Sequence, residues 1–469
     1  MPVNRGAVFG RSRLPLVVFP LCLMLVQSAR AQDSDEPSIL HFARVRDREI
    51  KFYDMRLESL QMSAAILTDA NAFTLDAWGD NRAWLAGNKS SSMDFFGGYL
   101  SHREEKANRT PDNKAGYVWD GIYGQYRSLE AEVSFPTRSV TINETYLREI
   151  WKYNLPTAGL GYGVAFGKVM LGAHANYNLV RETDRQIDTG KVSYVRRSRN
   201  HATGGAIAYR ADFASTTLAV GGTVDYVDRG VESGESSLTE GKPASGMNYG
   251  VQAIATVRKA LTVGVRAANA ALRGDRLSDS LKIDSHNDPR ELGLRATLVL
   301  KALTLGAEFS DHRERPSETR ADGHAHTSTS KEQATVGGAA VPLFGKRVLL
   351  AAEAGHFIRR SEDLPSTDSP IGFTMSWHQT VYTYGVELLP TRAWTVRFSR
   401  RRINSTDVYF SSLPYLTTAH TTSIGAGVRV TPRISLDFGF KHGLWDTRKA
   451  SPLYTTHRNS GQIQLQFKM

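Results

Sequence analysis

The chain has 469 residues, with 58 Lys+Arg against 47 Asp+Glu, a formal net charge of +11 and a hydrophobic share of only 41%. Length alone suggests about three globular domains, but a polytopic helical membrane protein is excluded, because each span needs roughly 20 consecutive apolar residues. With 19 Phe, 18 Tyr and 7 Trp the chain is also too aromatic to stay solvated and disordered. What remains is a glycine- and tyrosine-rich polypeptide with thinly spread apolar surface, the profile of an all-β protein.

The first element is an address. Arg5, Arg11 and Arg13 precede the apolar run Leu14 to Val26, and Ala29-Arg30-Ala31 supplies small residues at a cleavage site. Residues 1–31 are therefore expected to be a cleaved signal peptide, exporting the chain from the cytoplasm of a Gram-negative bacterium. The single cysteine, Cys22, lies inside that peptide, so the mature chain has no disulfide, thiol nucleophile or cysteine metal site. Losing four arginines lowers the net charge to +7. That excess is interleaved with acids and does not point to nucleic acid.

Residues 32–91 form the second element and do not alternate. Asp69-Ala70-Asn71-Ala72 lies in a run rich in small residues, and Asn81, Ala83, Leu85 and Ala86 follow. This stretch resembles the N-terminal signature of the FadL-like transporters of long-chain fatty acids and hydrocarbons. Arg82 stands where that motif has proline, and Ala64 and Ala65 stand where glycines are usual. The resemblance implies a hatch inside a barrel and passage of apolar molecules, sideways through an opening in the wall. On the residues alone, Met62, Ile66, Ala70 and Phe73 make one apolar face of an amphipathic helix. The segment is too short for the plug of a TonB-dependent receptor.

Residues 92–469 carry a hairpin repeat. Seven short turns recur: Phe166-Gly167-Lys168, Asp212 to Ser215, Arg258-Lys259-Ala260, Lys301-Ala302, Phe344 to Arg347, Pro390 to Ala393 and Pro432-Arg433. Strict alternation flanks each turn, as in Leu292, Leu294, Ala296 and Leu298 with Gly293, Arg295 and Thr297 between them. Strands of that period bury one face and solvate the other. Long polar connections, such as Glu232 to Gly246, Arg313 to Ser330 and Ser361 to Pro370, fall at the opposite end. Short turns at one end and long loops at the other predict an antiparallel up-and-down transmembrane β-barrel of the outer membrane, whose closure leaves no unpaired backbone in lipid. We expect about sixteen strands, within a range of fourteen to eighteen.

Alternation also assigns the inner face. His174, Asn176, Asp225, Arg266, Arg295, Glu308, Glu353, Glu387, Arg397, Arg401, Arg429, Asp437 and Lys441 are expected to line the lumen, with Trp394, Val396, Phe398, Ile434, Leu436, Phe438 and Phe440 facing lipid. Basic clusters at Arg359-Arg360 and Arg400-Arg401-Arg402, placed at loop ends, suit lipopolysaccharide phosphates. At the C-terminus Ile463, Leu465, Phe467 and Met469 alternate with polar residues. They resemble the closing strand read by the barrel-assembly machinery, with Met469 replacing the usual terminal aromatic.

Catalytic arrangements are weak. His457-Arg458-Asn459-Ser460 does not match the order of the outer-membrane phospholipases. His324 and His326, with His312, sit among solvating residues, so no cofactor or metal is expected. The expected function is a channel for small solutes, hydrophobic ones preferred, with a filled structural or assembly-partner barrel as the alternative and a barrel hydrolase behind both.

Overall fold

The computed structural model describes residues 82–87 and, apart from short stretches between strands, residues 91–469. The expected signal peptide and most of segment 32–91, including Asp69, Asn71 and Asn81, lie outside the described residues.

Apart from two 3-10 turns, Arg82–Gly87 and Phe344–Lys346, each described element is a strand. The chain begins with β1 (Ser91–Lys106), β2 (Asn113–Tyr126), β3 (Leu129–Ser134), β4 (Thr137–Asn143), β5 (Arg148–Asn154) and β6 (Thr157–Phe166). It continues through β7 (Val169–Gln186), β8 (Val192–Asp212), β9 (Thr216–Gly234), β10 (Thr239–Val257), β11 (Leu261–Ser278), β12 (Leu281–Asn287) and β13 (Arg290–Val299). Next come β14 (Thr304–Glu314), β15 (Ser317–Arg320), β16 (Ala325–Leu343), β17 (Val348–Asp363) and β18 (Phe373–Leu388). It ends with β19 (Trp394–Tyr409), β20 (Tyr415–Thr431), β21 (Ile434–Arg448) and β22 (Leu453–Lys468). All pairings are antiparallel, and β22 pairs with β1 from Lys468↔Ser92 to Tyr454↔Lys106, which closes the sheet into a barrel.

Four crossings are interrupted, and the sequence places a proline at each gap: Pro136, Pro156, Pro289 and Pro316. Proline has no N–H to give the ladder, so strands break or bulge around it. The neighbouring strands run past the gaps. β2 pairs with both β3 and β4, and β7 with both β5 and β6. β11 likewise pairs with both β12 and β13, and β16 with both β14 and β15. Eight of the twenty-two segments thus join in pairs, and the barrel has eighteen crossings. The expectation of about sixteen is therefore corrected upward. All seven expected turns are present, and an eighth, Arg127-Ser128, links β2 to β3. Arg127 holds φ at 53°, in the left-handed region that glycine normally fills, so its residue type gave no warning.

The polar connections are also less loop-like than their composition suggests. Arg313 to Ser330 is mostly strand, because β14 and β15 climb beside β16 as far as the Thr319↔Ala325 pair. At the short-turn end, the Thr217 hydroxyl donates to Asp212 at 2.8 Å. That bond and the adjacent Arg210 guanidinium hold the Asp212 carboxyl below its ordinary range.

Exposure is inverted relative to a water-soluble protein. Leu292 and Leu294 on β13 are 42% and 45% exposed, while their alternates Glu291 and Arg295 are 6% and 8% exposed. The expected lipid-facing Trp394, Phe398, Phe438 and Phe440 are likewise among the exposed apolar residues. A closed sheet with an apolar outer face and a polar inner face is a transmembrane barrel.

Candidate functional site

The inner face is laced by ion pairs, and several reach across a strand through a glycine. His174 on β7 and Asp225 on β9 both lie in register with Gly204 on the intervening β8. A Cβ at Gly204 would overlap the Asp225 carboxylate. With only hydrogen there, His174 Nε2 reaches Asp225 Oδ1 at 3.2 Å, with side-chain exposures of 6% and 0%. Lower in the barrel Arg397 on β19 donates to Glu387 on β18 at 2.8 Å and to Asp437 on β21 at 3.1 Å. The second bond crosses β20 at Gly427, where a Cβ would strike Asp437.

Between these two sites Arg266 donates to both oxygens of Glu291 at 2.8 and 3.1 Å, and both side chains are buried. Arg295 faces Glu308 at 4.0 Å. Among the other expected lumen residues, Arg401 and Lys441 are buried and Glu353 is half-buried. Arg429 has the inward parity of Thr421 and Ser423, but it is exposed, beside the turn into β21. Glu291 and the inward pair Arg359–Glu332 (3.2 Å) were missed in the sequence reading, although they share the parity of residues it placed in the lumen.

A larger omission is apolar. Val336, Gly355, Val381, Ile403 and Ala419 form one ladder row across β16 to β20. All point inward, and the four with side chains are at most 6% exposed. Gly355 leaves room for the Phe357 ring, whose Cε2 lies 2.9 Å from where a Cβ would stand. Ala334, Phe357 and Trp377 extend this patch. The signal lay in the inner-face positions of β16 to β19, where apolar side chains replace polar ones.

At the short-turn end the 3-10 turn Arg82–Gly87 packs against the inner wall. Ala83, at 0% exposure, lies among Met170, Ala206, Ala208, Ala219 and Ile254, with Ala86 beside them. These are inward positions of β7 to β10, since Leu171, Ile207 and Val220 on the opposite face are exposed. Leu85 is 3% exposed. Gly163 on β6 permits this approach, because a Cβ there would collide with the backbone nitrogen of Ala86. Two residues of the expected hatch-like motif, Ala83 and Leu85, thus occupy the lumen.

The candidate hydrolase residues are separated by their parity. On β22 Ser460 is buried on the inner face, whereas Asn459 and His457 belong to the outer face with exposed Ile463. His312 contacts Glu314 at 2.7 Å and His326 lies 3.7 Å from Asp363. Among the described residues no group of three or more His, Cys, Asp or Glu side chains could hold a metal ion. The C-terminal strand forms the seam of the barrel, with Phe467 edge-on to Phe95 at 6.0 Å and Ile463 and Met469 exposed. Leu465 pairs with Phe95 in the same ladder. The Arg400-Arg401-Arg402 cluster is placed within β19 rather than at a loop end, with Arg400 and Arg402 outward and Arg401 inward.

No protein-family model and no curated protein matches the sequence. Among solved structures the chain is similar to a Pseudomonas aeruginosa FadL homologue, with 9% identity, a TM-score of 0.40, and coverage of 87% of this chain and 96% of that one. The alcaligin outer membrane receptor FauA of Bordetella pertussis shows 9% identity and a TM-score of 0.44, over 81% of this chain and 76% of that one. The Ralstonia pickettii toluene transporter TbuX shows 12% identity and a TM-score of 0.30, over 83% and 92%. Likenesses at these values reach no further than the barrel already described.

Proposed function

We propose that this protein is an outer-membrane channel for small apolar solutes, with segment 32–91 acting as its hatch. The inward row of Val336, Val381, Ile403 and Ala419, covered by Phe357, supports this reading most directly. An aqueous pore gains nothing from apolar side chains in its wall, whereas a hydrocarbon that displaced the Phe357 ring would find there a place to leave water. The position of Ala83 and Leu85 against the wall supports the hatch. On this reading the chain binds and releases its cargo without a catalytic step. Lipopolysaccharide surrounds it, and the barrel-assembly machinery reads Ile463, Leu465, Phe467 and Met469.

The test is uptake into proteoliposomes of an apolar solute against a polar one of similar size. The double substitution V381N/I403N is expected to slow the apolar solute about tenfold, which corresponds to ~1.4 kcal/mol, and to spare the polar one. Equal uptake of the apolar solute by both proteins would remove the patch from the pathway. A filled-lumen barrel is the second reading, favoured by the 0% and 1% exposures of Asp225 and Thr297. Planar bilayers that carry no current and no solute, with or without residues 32–81, would establish it.

A further inference from the structure

The outer face carries a feature that transport does not use. Arg290 on β13 pairs with Arg313 on β14. Arg313 in turn pairs with Lys331 on β16, and Lys331 with Arg360 on β17. Four cations therefore stand side by side in one ladder row. All four are exposed, and they share the parity of the apolar outer residues, as Arg290 does with Leu292 and Leu294. Like charges in directly opposed positions destabilise a sheet, so the row costs stability unless something anionic lies over it.

Among the described residues only part of that charge is met. Asp311 Oδ2 accepts from Arg313 Nε at 2.8 Å, and Glu362 Oε1 from Arg360 Nη2 at 2.5 Å. Asp288, two residues from Arg290, is taken by His286 at 3.0 Å. Among the described residues neither Arg290 nor Lys331 has an acidic partner. Even Arg313 and Arg360 keep 63% of their side-chain surface in the open.

The row begins where the apolar band of β13 ends, directly above Leu292, and lies at the long-connection end of the barrel. It slopes outward, because ladder rows run across strands that tilt ~35–45° from the barrel axis. Its cations thus stand progressively farther from the short turns, from Arg290 on β13 to Arg360 on β17. Arginine forks match phosphate oxygens bidentately, and lysine adds a point charge. We propose that this row is a binding site for the phosphorylated headgroup of an outer-leaflet glycolipid, with phosphate seated between neighbouring cations and an acyl chain along Leu292 and Leu294, below Arg290 on β13. The site depends on the barrel standing in a membrane and is independent of what the lumen carries.

The experiment uses the full chain in nanodiscs of neutral phospholipid doped with a diphosphorylated lipopolysaccharide anchor or with the same anchor after enzymatic dephosphorylation. Bound glycolipid is counted by native mass spectrometry. The phosphorylated form should bind at least tenfold better than the dephosphorylated one, R290Q/K331Q should erase the difference, and K331R should keep it. Folding of each variant is read from heat-dependent gel mobility. If the double variant does not fold, the comparison of the two lipids on the natural protein decides alone. Equal binding of the two lipids, or undiminished preference in folded R290Q/K331Q, would overturn the proposal. So would displacement of the glycolipid by an equal concentration of inorganic phosphate, which would mark a free-ion site.

Discussion

Two of the ion pairs inside the barrel join side chains two strands apart, and a single hydrogen decides whether they form. Gly204 separates His174 from Asp225, and Gly427 separates Arg397 from Asp437. The substitution Gly204→Val should force that pair apart and leave Asp225 buried without its imidazole. A loss of about 1–3 kcal/mol is expected from overpacking alone, read as a lower temperature for the heat-dependent gel shift. Arg266 and Glu291 make a second test, because both are buried. Arg266→Met should cost about 3 kcal/mol by removing the bidentate cation from the buried Glu291 carboxylate, whereas R266M/E291L should recover most of that loss. Unfolding in urea would show whether the double variant is in fact the more stable of the two. Period-two alternation was enough to place His174, Asp225, Arg266 and Arg397 on the inner face. The His174–Asp225 and Arg397–Asp437 pairings were not legible, because a contact across β8 or β20 depends on which residue occupies a third strand.

Among the elements, the turns carried most of the information and most of the error. Seven turns with both termini at the same end make sixteen strands, and the unnoticed Arg127-Ser128 turn makes eighteen. That turn escaped notice because it lacks the Gly or Asn that usually fills the left-handed region, and because Pro136 cuts the following strand into two short pieces. The same conformation recurs at Arg258 and Lys259, with φ of 50° and 55°. A side chain in that region costs roughly 1–2 kcal/mol, offset in part by the greater entropy that glycine loses on folding. Lys259→Gly and Arg127→Gly are therefore each expected to stabilise the barrel by about 0.5–1 kcal/mol. A raised urea midpoint would confirm it, and an unchanged one would mean that the turns relax at no cost. The four proline interruptions work in the opposite direction. They shorten the apparent strands in the sequence while the hydrogen-bonded ladder continues past them, as where the Ala270 N–H donates to the Pro289 carbonyl at 2.9 Å.

For the molecule as a whole, polarity is distributed inversely to that of a soluble protein, and one pair of neighbouring positions tests it. Leu294 and Arg295 are adjacent on β13, yet Leu294 is 45% exposed on the outer face and Arg295 is 8% exposed on the inner one. In a soluble sandwich the exposed leucine could become arginine at almost no cost. In a barrel that stands in lipid, with Leu292 and Ala296 on either side along the same face, Leu294→Arg puts a cation near mid-depth. It should cost about 2–4 kcal/mol. The fraction of chain that reaches the compact, heat-modifiable form in lipid vesicles should fall accordingly. Arg295→Leu makes the reverse exchange and should be milder. It removes a cation from the lumen beside Glu308, whose side chain is 16% exposed. If L294R folded in vesicles as readily as R295L, the outer face would not be meeting hydrocarbon. Neither the channel nor the glycolipid site could then be maintained.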